Sequence, residues 1–105
     1  MNYTETYTLK KTTVELEAGG KQYRMEITVR IDNETAEKVI STVMSRITTD
    51  AETSAEVKTR VGSASLDTKA DRHYLAYDHH SEVPLAEQSA IADAYLTAIN
   101  SILSE

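Results

Sequence analysis

The clearest alternation of apolar and polar positions lies between residues 21 and 31. Its apolar members are Tyr23, Met25, Ile27, Val29 and Ile31, and the polar residues between them are Arg24, Glu26, Thr28 and Arg30. A period of two predicts a β-strand with one face buried and the other in water. The preceding pair Gly19-Gly20 suits a two-residue turn, because glycine accepts the positive φ that such turns require. Residues 3–31 are therefore predicted to form a β-hairpin.

The first strand of this hairpin has a break in its pattern. Val14 and Leu16 occupy even positions, whereas Tyr7 and Leu9 occupy odd ones. Successive side chains of a strand point to opposite faces, so one extra residue is needed to bring all four onto the buried face. We predict a β-bulge within Lys10–Thr13 that supplies it. Two separate strands would be the alternative.

Residues 34–48 have apolar side chains at helical spacing. The stripe consists of Ala36, Val39, Ile40, Val43, Met44 and Ile47. Asp32 or Asn33 is a suitable N-cap, and Glu34 and Glu37 suit the positive end of a helix dipole. The pattern predicts an amphipathic helix whose apolar stripe packs against the sheet.

Two further strands are predicted after a polar loop at residues 48–54. Val57, Thr59 and Val61 alternate with charged residues, which is typical of a strand. Residues 65–78 fit either a strand through His73, Leu75 and Tyr77 or a helix. We favour the strand, because it provides a hairpin partner for the preceding one.

The last predicted element is a helix over residues 82–103, with Pro84 in its first turn. Its apolar face comprises Leu85, Ala92, Tyr95, Leu96, Ile99, Ile102 and Leu103. The elements then follow the order ββα-ββα. We therefore predict one α+β domain over residues 1–105, with a mainly antiparallel sheet of three or four strands and two helices on one face. The buried face of the sheet would take Tyr7, Leu9, Val14, Leu16, Met25, Ile27 and Val29.

Composition narrows the functional classes. The chain of 105 residues contains no cysteine, which excludes disulfides, zinc–thiolate sites and thiol catalysis. The N-terminal residues do not resemble a signal peptide and no run of about 20 apolar residues occurs, so we expect a cytoplasmic protein without a membrane segment. The net charge of −6 disfavours binding to nucleic acid.

The predicted C-terminal helix carries a row of small side chains with little charge. The row consists of Ala86, Ala90, Ala94 and Ala98, together with Thr97 and Ser101. Small residues allow a second helix or sheet to approach closely, which suggests an interface for a homodimer. The alternative is that alanine fills exposed positions there because it is the best helix former.

All three histidines lie within residues 71–80. His73, Asp78, His79 and His80 combine the nitrogen and oxygen ligands that zinc, manganese and non-haem iron accept. The tripeptide Asp78-His79-His80 is similar to a metal-binding motif of the DHH phosphoesterases, but the further acidic motifs of that family are not present in the chain. Adjacent strand residues point to opposite faces, so His79 and His80 could share an ion only from a loop. A polar loop without metal is the alternative.

No catalytic signature is present. The chain contains no G-x-S-x-G sequence and no glycine-rich phosphate loop, and it has only three glycines. The leading hypothesis is a small acidic, non-catalytic protein-interaction module of the bacterial or phage accessory type, which needs no cofactor. Its partners would be a second copy of the chain and a further, unidentified protein. The alternative hypothesis is a metal-binding protein or metal-dependent enzyme that uses the histidine-rich segment.

Overall fold

The computed structural model describes residues 6–78 and 82–105. Five strands precede one helix: β1 (Tyr7–Ala18), β2 (Lys21–Asp32), β3 (Lys38–Thr49), β4 (Glu56–Asp67), β5 (Arg72–Tyr77) and α1 (Leu85–Leu103). The strands form one antiparallel sheet in the order β1-β2-β3-β4-β5, so that each pairs with its neighbours in sequence. In this described part of the chain, no helix is both long enough and apolar enough to cross a membrane.

The predicted helix over residues 34–48 is wrong, and so is the predicted arrangement ββα-ββα. Most of that segment belongs to β3, and the described residues form five strands and a single helix. Seven of the twelve residues of β3 are β-branched, which favours a strand. The helical spacing arises because both faces of β3 carry apolar residues. Ile40 and Met44 face the core, while Val39 and Val43 lie on the other face.

Three of the hairpin loops use the same aspartate-based turn. The Oδ1 atom of Asp32 accepts hydrogen bonds from the backbone N–H groups of Glu34 and Thr35, at 2.8 and 3.2 Å. Asp50 and Asp67 accept equivalent bonds from residues two and three positions ahead. Four positions after each aspartate, the backbone takes a left-handed φ, at Ala36, Ser54 and Asp71. Asp32, predicted as a helix cap, thus caps a turn, because the same side-chain bond serves both structures.

The hairpin of β1 and β2 is confirmed, but the predicted bulge in β1 is wrong. The register is continuous through all twelve residues of β1. Val14 and Leu16 pack toward α1, whereas Tyr7 and Leu9 lie on the opposite face and are about half exposed. The guanidinium of Arg30 lies 5.5 Å from the centre of the Tyr7 ring, a cation–π contact that favours this position.

The register shift of the sheet lies instead between β3 and β4. It occurs between Met44 and Ser45 and leaves Val61 of β4 without a counterpart in β3. Val61 is fully buried. The next residue, Gly62, lies so close to β5 that a Cβ atom would be 2.6 Å from the carbonyl oxygen of Ala76. The absence of a side chain at this position therefore allows β5 to pack tightly at the bulge.

The single helix covers one face of the sheet and forms the core with it. The sheet contributes mainly Tyr23, Met25, Ile27, Val29, Ile40, Met44, Val61 and Ala64. The buried helix residues are Glu87, Ile91, Tyr95, Ile99 and Ile102. The predicted strands around Val57–Val61 and His73–Tyr77 and the C-terminal helix are confirmed. The predicted apolar face of that helix is partly wrong, because Leu85, Leu96 and Leu103 flank the buried stripe and remain exposed.

Candidate functional site

We call the sheet face opposite α1 the open face, since no described element covers it. Its middle carries mostly small side chains: Thr28, Ser41, Val43, Ser63 and Ser65. Toward one end, the guanidinium of Arg24 forms ion pairs with both Glu15 and Glu56, and Lys58 lies 2.6 Å from Glu26. These charged side chains are already paired with one another, so they do not form a catalytic acid–base pair.

A hollow of about 280 Å³ lies at the other end of the open face. Its lining residues are Thr6, Tyr7, Arg30, Asp32, Glu37, Val39, Asp67 and Lys69. In Asp32 and in Asp67, one carboxylate oxygen accepts hydrogen bonds from backbone N–H groups of the same turn. Those bonds hold the pKa of Asp32 below its ordinary value, so this carboxylate is a poor proton donor near neutral pH. Among the described residues that line the hollow, no side-chain hydrogen bond joins a nucleophile to a base.

The predicted metal ligands have other partners where the structure describes them. The Nε2 atom of His73 lies 3.0 Å from the hydroxyl of Tyr95, and the two rings stack. Asp78 lies 3.3 Å from Arg60. His79 and His80 lie outside the described residues. Within residues 6–78 and 82–105, no group of three or more histidine, cysteine or carboxylate side chains is placed to hold a metal ion.

The predicted interface row on α1 is divided between the core and the surface. Ala90, Ala94 and Ala98 are half-buried and pack against the core. The other members of the row, Ala86, Thr97 and Ser101, are exposed. The small side chains allow the backbone of α1 to come near β1. Among the strands, β1 has the longest stretch of backbone close to α1. Half of the row therefore has a packing role within the chain itself.

The outer edge of β1 is the longest unpaired stretch of backbone in the described sheet. β1 is twelve residues long, pairs with β2 alone and has no described element beyond it. Residues 7–13 are all exposed. The edge has a basic half with Lys10 and Lys11 and an acidic half with Glu15 and Glu17. The charge pattern of β1 is visible in the sequence, but the position of β1 in the sheet is not. The sequence alone therefore does not identify this surface.

A buried polar contact fixes the start of α1 to β2. The hydroxyl of Tyr23 donates a 2.7 Å hydrogen bond to Glu87, and the ammonium of Lys21 lies 3.1 Å from the same oxygen. Burial, reinforced by the bond to Glu87, raises the pKa of Tyr23 to about 12. The same bond and the nearby Lys21 lower the pKa of Glu87. Both groups keep their ordinary charge at neutral pH and act as a structural clamp.

From this clamp of Glu87, Tyr23 and Lys21, we predict that the contribution of Glu87 to stability depends on pH. Its pKa is lower in the folded chain than the ordinary value of 4.5, so its stabilising effect is present above that pH and is lost on acidification. Glu87→Gln keeps an acceptor for Tyr23 but lacks the charge. We expect this variant to be less stable than the parent at about pH 7, with a difference that shrinks as the pH falls toward about 3. The measurement is the free energy of urea unfolding at each pH.

Glu17→Gln, on an exposed position of β1, is the matched control for this experiment. It removes the same charge without touching the clamp, and its stability difference should stay small at every pH. A difference between Glu87→Gln and the parent that does not change with pH would contradict the assignment of charge to Glu87.

Comparison of the chain with family models, with curated proteins and with solved structures gives no match. Among the described residues, the free edge of β1 and the exposed part of the helix row are the two surfaces on which the proposed function is based.

Proposed function

We propose that the protein is a small non-catalytic interaction module that acts as a homodimer. The observation that carries this proposal is the free edge of β1, a strand of twelve residues that has a neighbouring strand, β2, on one side alone. Unpaired strand edges bind other strands readily, and natural proteins usually shorten them, cover them or pair them. Pairing with a second copy would satisfy the backbone groups of this edge.

The helix row supports the same proposal, because it lies on the β1 side of α1. Tyr95 and Gln88 mark the side of the helix toward β5, through their contacts with His73 and Tyr77. At 100° per residue, the row lies on the opposite flank. Of its exposed members, Ser101 lies on this flank, whereas Thr97 and Ala86 lie progressively closer to the outer side of the helix.

The mass of the untagged protein in native mass spectrometry tests the proposal. One chain has a mass of 11.7 kDa, and we expect a species of twice that mass. Thr97→Glu combined with Ser101→Glu should weaken the dimer about tenfold, since the added charges of the two copies repel each other. These exposed positions are preferable to Ala90 and Ala94, where glutamate would also disturb the core.

Ser89→Glu combined with Asn100→Glu is the matched control, because both residues lie on the outer side of α1 away from the sheet. It adds the same charge and should leave the dimer unchanged. A parent protein that is monomeric at all concentrations up to about 100 μM would overturn the proposed function.

A further inference from the structure

We propose that two copies join edge to edge through β1, in the register that places Thr13 opposite Thr13 of the second copy. The inference rests on the proposed homodimer and names its interface. The product is a continuous antiparallel sheet of ten strands, twice the five of one chain, with both helices on one side and both open faces on the other.

The backbone of β1 restricts the possible registers. Residues of an antiparallel strand alternate between those bonded to the neighbouring strand and those whose N–H and C=O groups point away from it. Ala18 and Lys21 flank the turn and bond to each other across the hairpin, so the even-numbered residues of β1 are bonded to β2. The odd-numbered residues then present their backbone groups to the free edge. In a dimer about a two-fold axis, odd residues must face odd residues.

Charge selects among the registers that remain. With Thr13 on the two-fold axis, Lys11 of each copy lies opposite Glu15 of the other, which gives two cross-strand ion pairs. If Lys11 or Glu15 lay on the two-fold axis instead, and so formed the centre of the register, like charges would lie opposite each other. A centre at Thr12 would place Lys11 opposite Thr13, with no ion pair.

A centre at Val14 also pairs opposite charges, Lys11 with Glu17, but it leaves a shorter overlap. Within residues 7–18, that register matches nine positions, whereas the centre at Thr13 matches eleven. The longer overlap provides more backbone hydrogen bonds, so we favour the centre at Thr13. It also places Thr12 opposite Val14, a pair of β-branched side chains that pack well across strands.

The surroundings of Glu15 provide an independent reason for a cation at this place. Arg24 lies between two carboxylates, Glu15 and Glu56, so this group of three side chains has a net negative charge. Lys11 forms no ion pair within residues 6–78 and 82–105 and is exposed. Lys11 of the second copy would neutralise the group. The lysines also oppose other edge pairings, since like charges facing each other disfavour them.

Single cysteines test the register directly, because the native chain has none. In Thr13→Cys, the two Cα atoms of the dimer lie about 5.5 Å apart, within the range for a disulfide. In Thr12→Cys and Val14→Cys, the equivalent atoms are diagonal neighbours at about 7–8 Å, which is too far. Under mild oxidation we expect a covalent dimer from Thr13→Cys at least about tenfold faster than from the other two variants. Equal rates for all three would overturn the register.

Charge reversal tests the ion pairs. Lys11→Glu should weaken the dimer at least about tenfold, because it faces Glu15 of the second copy at both ends of the interface. Lys10→Glu is the matched control, since it makes the same charge change one residue away. Lys10 lies on the helix side of β1 and, in the proposed register, faces Leu16 of the second copy. Adding Glu15→Lys to Lys11→Glu reverses both partners and should restore the dimer. Circular dichroism of each variant confirms that the chain remains folded.

The outcomes separate this inference from the proposed function. A dimeric parent with no effect of Lys11→Glu and no preference for Thr13→Cys would overturn the β1 interface and leave the homodimer intact. A monomeric parent would overturn both.

Discussion

Replacing Gly62 with alanine should lower the free energy of unfolding by about 3 kcal/mol. The new Cβ atom would lie 2.6 Å from the carbonyl oxygen of Ala76, well inside van der Waals contact. That oxygen belongs to the backbone of β5 and cannot move away as a flexible side chain would. The strand pair β4–β5 would have to separate at the bulge, next to the fully buried Val61. Urea unfolding monitored by circular dichroism measures the loss.

Gly20→Ala is the control for this substitution, because no atom lies within 4 Å of the position that its Cβ would occupy. Gly20 has a φ of 74°, so alanine there experiences backbone strain alone and should cost about 1 kcal/mol. If Gly62→Ala were no more destabilising than Gly20→Ala, β5 would not pack against Gly62 as closely as described.

Replacing Ile91 with alanine should lower the free energy of unfolding by about 3 to 4 kcal/mol, as much as Gly62→Ala or more. Ile91 is completely buried at the centre of the stripe through which α1 contacts the sheet. Since α1 is the one described element on that face, neighbouring residues have little freedom to close the cavity. The free energy of urea unfolding is again the measurement.

Leu96→Ala removes an aliphatic side chain of the same size from the same helix, but Leu96 is 46% exposed. We expect it to cost less than about 1 kcal/mol. Equal losses for Ile91→Ala and Leu96→Ala would mean that the helix packs with a different face from the one described.

The sequence was sufficient to predict the elements whose two faces differ clearly in polarity. Between Tyr23 and Ile31 of β2, every core position is apolar and every open-face position is polar, so the period of two is unambiguous. In β3, Val39 and Val43 lie on the open face while Ile40 and Met44 lie in the core. Two apolar sets on opposite faces reproduce helical spacing, and only pairing with β2 and β4 resolves the ambiguity in favour of a strand.

The same limit applies to β1 and to the candidate interface. Tyr7 and Leu9 were expected in the core because hydrophobic residues are usually buried, but an edge strand can leave them half exposed. The charge pattern of β1 could be read from the sequence, whereas its position at the edge depends on the order of all five strands. Likewise, the alanine row could be recognised on a helix, but its partial burial depends on how α1 approaches β1.

The order of elements along the chain also has a consequence for protein synthesis. Each strand can pair with the one made just before it, so the sheet can grow hairpin by hairpin on the ribosome. The helix that covers its apolar face comes after all five strands. At about 5–20 residues per second, the interval between Asp32 and Leu85 lasts roughly 3 to 10 seconds. During this time the apolar face of the sheet, with Tyr23, Met25 and Ile27, lacks the cover that α1 provides in the folded chain.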